Sequence, residues 1–125
     1  MARRIIRVGI MSYRKIQART IAIAQGKLKP ARDDPSIWFP SLKSFASVLS
    51  EPNAALLAVI RESRPRSLAE LERLTGRAQS NLSRTLRTME KYGLVRLEAG
   101  KGARGKAPLT PVVLADEIRL ALAVA

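Results

Sequence analysis

Within SLAELERLTGRAQSNLSRTLRTMEKYGLV, residues 67–95, polar side chains recur at spacings that could engage a ligand. A helix from Gln79 to Tyr92 turns by about 100° per residue. That places Leu82, Leu86 and Met89 on one face, with Ala78 in line before them. Ser80, Arg84, Arg87 and Lys91 fall almost diametrically opposite, and Gln79, Asn81, Ser83 and Thr88 lie on the flanks. A core uses the leucines; it gains nothing from guanidinium, hydroxyl and amide groups held outward. Such groups offer hydrogen bonds and positive charge, which suits a polyanion with patterned acceptors, as in a major groove. For any single amphipathic helix, a plain solvated face is normally the better explanation. The neighbours tip the balance: a short capped helix before it, a tight turn, and a strand with a basic glycine loop directly after.

That loop holds a second chemical possibility. GKGARGK at residues 100–106 fits the G-x-x-x-x-G-K skeleton that cradles nucleotide phosphates. Ala107 stands where a Ser or Thr must hold magnesium, and Pro108 where a helix must begin, so nucleotide binding is rejected. A hairpin tip explains the segment better than a merely flexible loop. Its glycines allow positive φ, while Lys101, Arg104 and Lys106 offer charge to a phosphate backbone or a minor groove. Catalysis has little to draw on. The chain has no His and no Cys, which removes disulfides, thiolate metal sites, Cys nucleophiles and the commonest general base. Asp116 and Glu117 are adjacent acids, but neighbours on a strand point to opposite faces, so a solvated turn is expected. With no acid, base and nucleophile constellation, the expectation is a non-enzyme without metal or cofactor.

Charge points the same way. The chain carries 23 basic against 10 acidic residues, a net +13, and so predicts a polyanionic partner, either nucleic acid or an anionic membrane. No apolar run approaches the roughly 20 residues needed to span a bilayer. The stretch MARRIIRVGIMSYRKIQARTIAIAQGKLKPAR has no acidic residue and shares the Arg-rich character of an organellar transit peptide. A strand-like Arg4–Ile10 and the glycine-stopped helix after it favour folded structure instead.

An outward-facing helix needs a scaffold. Ser67 and Glu70 form an S-x-x-E capping box, each satisfying an orphan amide. Leu68, Leu71 and Leu74 predict a buried stripe on a short helix, closed by Gly76 in a left-handed conformation. Arg77 and Ala78 remain as a tight turn. Gly93 ends the second helix, Leu94–Leu97 begin a strand, and Leu109–Leu114 can return from the loop. Upstream, RIIRVGI predicts a strand, and Ser12 caps a helix from Tyr13 to about Gln25, stopped by Gly26. Ile37–Phe39 reads as a short strand. Ser41 opens a helix to about Leu49, with Leu42, Phe45, Val48 and Leu49 on one face. Pro52 starts another, carrying Leu56, Leu57, Val59 and Ile60 and stopped at Arg64-Pro65. Residues 118–124 alternate imperfectly; a strand is favoured over a short helix.

From Asn53 to about Lys106, the helix–turn–helix pattern quoted above and the basic wing after it resemble the winged-helix regulators of the MarR-like class. The whole layout adds an N-terminal strand and helix and a short helix at SLKSFASVLS. In that form it is similar to a group of small DNA-binding proteins of the same class, some of which accompany toxin genes. The resemblance implies an α+β fold with a winged helix-turn-helix and an N-terminal strand-helix extension. The extension, at 1–50, would serve dimerisation or partner docking; the DNA-binding domain occupies 51–108 and a C-terminal strand segment 109–125. It implies Gln79, Ser80, Asn81 and Arg84 at base edges, and Ser67, Ser83, Arg87 and Lys91 at the DNA backbone. Lys101, Arg104 and Lys106 belong to its wing. One departure is Ala78, which stands where such regulators often carry a Ser or Asp cap. Losing a cap costs about 1 kcal/mol, so either Arg77 and the turn compensate or this helix end is softer.

The expected function is sequence-specific recognition of double-stranded DNA by a cytoplasmic, nucleoid-associated transcription regulator, acting as a repressor. A homodimer is expected because paired half-sites about 34 Å apart add length and symmetry; no segment declares itself as the interface. Two alternatives stand beside this. One is an antitoxin that binds a cognate toxin and represses their shared promoter; the other is an RNA-binding winged helix. Membrane-surface attachment through the N-terminal helix comes third, and no membrane partner is expected.

Overall fold

The computed structural model describes residues 3–99 and 108–124. They form a mixed α+β chain that divides into two compact units. One comprises the residues up to Ser47 together with those from Asp116 onward, and the other runs from Val48 to Ala115. Within the stretch 109–125, the first strand belongs to the second unit and the last to the first.

In the first unit, β-branched residues build β1 (Ile5–Ile10). The Ser12 hydroxyl accepts the Lys15 amide at 3.3 Å and starts α1 (Tyr13–Ala24), which closes at Gly26 with φ 74°. β2 (Ile37–Phe39) then lies parallel to β1, as a helical crossover allows and a hairpin does not. Ser41 accepts the Ser44 amide and opens α2 (Leu42–Val48), whose Phe45 packs edge-on against Phe39 at 5.4 Å. The third strand of this sheet is β5 (Glu117–Ala121), also parallel to β1, giving the order β2-β1-β5. Register sorts the faces: Ile6 and Val8 align with Ile118 and Leu120, while Arg7 and Gly9 align with Arg119 and Ala121. Gly9 is required by its neighbour Trp38. A Cβ there would clash with the indole and sit 2.9 Å from the Pro35 ring. Asp116 is not the solvated turn expected of it. Its carboxylate accepts the Arg4 amide at 2.7 Å and its own amide donates to the Arg4 carbonyl at 2.7 Å, clasping the start of β1.

In the second unit, Ser50 caps α3 (Glu51–Ser63) by accepting the Asn53 amide, with Pro52 in the first turn. Arg64 ends the helix in a left-handed conformation, φ 46°, and Pro65 is buried after it. Then come α4 (Leu68–Thr75), α5 (Gln79–Lys91), and an antiparallel pair, β3 (Val95–Ala99) with β4 (Leu109–Val113). α4 packs on α3, α5 and β4, and α5 packs on β3. The core is aliphatic: Leu56, Leu57 and Ile60 from α3, Leu71 from α4, Leu82, Leu86 and Met89 from α5, then Leu94 and Val95.

Two predicted apolar positions are exposed. Leu42 and Leu74 are 47% and 49% accessible. Both belong to stripes spaced by three residues, which fall short of the 3.6-residue turn and slide around the helix by about 60° at each step. On α4 the drift leaves Leu71 in the core and turns Leu74 out. Among the described residues no helix is long and apolar enough to cross a membrane.

Candidate functional site

The turn between α4 and α5 is built by hydroxyl and guanidinium groups. Ser67 accepts the Glu70 amide at 3.1 Å, the first half of the expected capping box. The second half is displaced by one residue, since the Glu70 carboxylate accepts the amide of Arg66 at 3.1 Å and not that of Ser67. Ser67 adopts φ −155°, ψ 164°, so the chain arrives extended and the preceding amide meets the carboxylate. At the other end, the Thr75 hydroxyl donates to the Leu71 carbonyl and accepts the Arg77 amide. Gly76, φ 76°, donates its amide to the Glu72 carbonyl at 2.7 Å and closes the helix.

Arg77 then bridges three partners. Its Nε donates to the Asn81 side-chain oxygen at 2.9 Å, Nη1 to the Asn53 oxygen at 3.1 Å, and Nη2 to the Thr85 hydroxyl at 3.2 Å. One planar fork thus ties the start of α3 to two successive turns of α5. Ala78 is the N-cap of α5 and makes no side-chain cap bond. It lies outside the helix and is exposed, not on the leucine face where helical extrapolation put it. Arg77 has only donors, so it orients α5 without satisfying the first-turn amides.

The two faces of α5 differ as their spacing demands. Leu82, Leu86 and Met89 have no accessible surface, whereas Ser80, Arg84, Arg87 and Lys91 are exposed. The side chains of Ser80, Arg84 and Lys91 make no hydrogen bond or ion pair among the described residues. The remaining predicted contacts are exposed or half-buried but engaged. Gln79 Nε2 donates to Glu72 Oε1 at 3.2 Å, Asn81 receives Arg77, and Arg87 Nε donates to the half-buried Ser83 hydroxyl at 3.2 Å. Half-buried Ser67 has its oxygen occupied by the cap. The face therefore offers Ser80, Arg84 and Lys91 outright, and Gln79, Asn81 and Arg87 after an exchange of partners.

β3 and β4 pair antiparallel from Val95–Val113 to Ala99–Leu109, and the sequence between them holds Lys101, Arg104 and Lys106, the residues expected in the wing. Those residues lie outside the described residues. The hairpin base is anchored: the Glu90 carboxylate accepts the Leu97 amide at 2.8 Å, and the Thr110 hydroxyl donates to the Arg66 carbonyl at 2.8 Å. Arg96 is exposed and pairs with Glu98.

Asn53, Arg77 and Thr85 were not singled out by sequence as one structural unit, and no periodic signal links them. An arginine directly after a left-handed glycine, facing two polar residues at four-residue spacing (Asn81 and Thr85), was the available hint. In the first unit a cleft of about 390 Å³ is lined by α1 and the 30–38 segment. Its charged groups are matched internally, with Arg19 3.2 Å from Asp34 and stacked over Trp38 at 5.4 Å.

Comparison with known proteins adds one finding. No curated protein matches the chain. The family model HVO_A0114 matches residues 48–120, a stretch that contains the whole second unit and runs into β5. The match spans more than half of the 125 residues. The chain belongs to the HVO_A0114 family.

Proposed function

We propose that the second unit is a winged helix-turn-helix of MarR-like kind that binds double-stranded DNA, and that the protein regulates transcription as a repressor. α5 would enter the major groove, and the β3–β4 hairpin would follow the backbone or the adjacent minor groove. The observation that carries this reading is α5 itself. Its apolar side is fully buried while Ser80, Arg84, Arg87 and Lys91 stand in solvent, on a chain of net charge +13. A helix anchored in this way presents donors at the width of a major groove. The missing side-chain cap adds open amide donors at the N-terminus of α5, which favour a phosphate.

The test is selection of bound duplexes from a random pool, followed by affinity measurements at matched salt. Arg84→Ala should weaken the selected site by about 1–3 kcal/mol and relax its base preference. Replacing Lys101, Arg104 and Lys106 together by alanine should weaken all DNA similarly and flatten the salt dependence, by about 0.9 in slope per lost phosphate contact. Preference for structured RNA over duplex DNA in competition would reject the DNA reading.

A further inference from the structure

β5 has a strand neighbour on one side only. It pairs with β1 along Glu117–Ala121, and among the described residues no strand pairs with its other edge. An open edge is a row of N–H and C=O groups ready to receive another strand, and proteins blunt it with shortness, Pro or charged side chains, Lys above all. The opposite edge strand, β2, is blunted in that way: it is 3 residues long and flanked by Pro35 and Pro40. β5, EIRLA, contains neither Pro nor Lys. Ile118 is half-buried, while Leu120 and Ala121 are exposed. Leu120 is 38% accessible, and past the strand Leu122 and Val124 reach 51% and 93%.

The order of residues along this edge is self-complementary. β5 ends at Ala121; with its alternation extended over the next three residues, Ile118, Leu120, Leu122 and Val124 would share one face. A second copy laid antiparallel, with the two-fold axis at Ala121, brings Leu120 opposite Leu122 and Ile118 opposite Val124. Ala121 meets its own counterpart, and Arg119 stands across from Ala123. The two registers displaced toward the start of the strand do worse. An axis at Leu120 sets Val124 against Asp116, and an axis at Arg119 opposes two guanidinium groups.

Charge selects the same strip. Two chains of net +13 repel each other over most of their surface. Between Glu117 and Val124 the only charged residues are Glu117 and Arg119, which pair with each other, and Glu117 also binds Arg3 at 3.0 Å, so the charge of the strip is small beside that of the chain. We propose that this edge is a homodimer interface, in which two copies of β5 pair antiparallel about Ala121 and join their sheets into one. The interface uses the first unit alone, so it stands or falls separately from DNA binding by the second.

Because the chain has no cysteine, single-cysteine variants report the register directly. Facing residues in an antiparallel pair have Cβ atoms about 4.5–5.5 Å apart, close to the roughly 3.5–4.5 Å of a disulfide. Under mild oxidation of the full chain, Ala121→Cys should form a covalent dimer of twice 13.7 kDa much faster than Ala123→Cys or Ala58→Cys on α3. Light scattering should find the unmodified protein dimeric, and Leu122→Lys monomeric with unchanged circular dichroism. A dimer that persists in Leu122→Lys, or that cross-links as readily through Ala58→Cys, overturns the proposal in favour of another interface. A monomeric unmodified protein overturns it too, leaving the edge to a strand of a different protein.

Discussion

Arg77 Nε lies 2.9 Å from the side-chain oxygen of Asn81, so the residue just before the helix cap grips the first exposed turn of α5. The same guanidinium reaches Asn53 and Thr85, both half-buried. Orientation of the outward face is thus delegated to one side chain in the turn and does not depend on the leucines alone.

Arg77→Ala should therefore lower stability by about 1–3 kcal/mol, because it strands half-buried oxygens that had a charged donor. Arg77→Lys should recover little, since an ammonium group cannot fork to three acceptors. Urea unfolding followed by circular dichroism measures both; a lysine variant as stable as the parent would show the fork to be dispensable.

Ala78 already has the extended backbone of a cap, φ −61° and ψ 144°, but no acceptor to offer. Ala78→Ser should supply one and raise stability by about 1 kcal/mol. The comparison is of thermal midpoints, and no gain would mean that the first-turn amides are satisfied by solvent at no cost.

Glu72 holds Gln79 by a 3.2 Å bond and places a negative charge near the N-terminus of α5. Under the DNA-binding reading, Glu72→Ala frees the amide and removes a charge that competes with phosphate. Affinity for the selected duplex should rise by about 0.3–1 kcal/mol, on the scale of a charge at a helix terminus, and the gain should shrink as salt increases. Fluorescence anisotropy titrations decide it; unchanged affinity at low salt removes Gln79 from the interface.

Glu117 titrates below the usual carboxylate range. The first cause is the hydrogen bond from Arg119, joined by the charges of Arg119, Arg3 and Arg7 and opposed by partial desolvation. Its folded-state pKa is lower than its unfolded one, so between the two values the unfolded chain binds more protons and stability climbs with pH. The contribution is complete above the ordinary carboxylate pKa and is lost as pH falls through the depressed value. Unfolding measured across the acid range should show a shallower pH slope for Glu117→Gln; identical slopes would show that the Arg119 contact does not persist in solution.

Local sequence carries some of these features and not others. α5 was readable because Leu82, Leu86 and Met89 obey the helical period and the core demands the same period. The capping serines Ser12, Ser41 and Ser67 were readable because their partners are 3 residues away. Leu74 and Leu42 misled because a three-residue repeat imitates a stripe over one turn but not over two. Arg77 to Asn53 spans 24 residues, and Arg4 to Asp116 spans 112, distances at which no composition or spacing records a partner. The parallel docking of β5 on β1 belongs to the same class, since its alternation fits a strand in any sheet.

Pairing of Ile5 with Glu117 also has a consequence for biogenesis. β1 precedes every other described element, yet one of its flanks has no partner until β5 has been translated. Short-range contacts let the intervening helices and hairpin collapse meanwhile, whereas the closing strand must bear the entropy of a long loop. During that delay the bare flank of β1 is the place where nascent chains would misassociate. A chain terminated before Asp116 would keep it bare permanently.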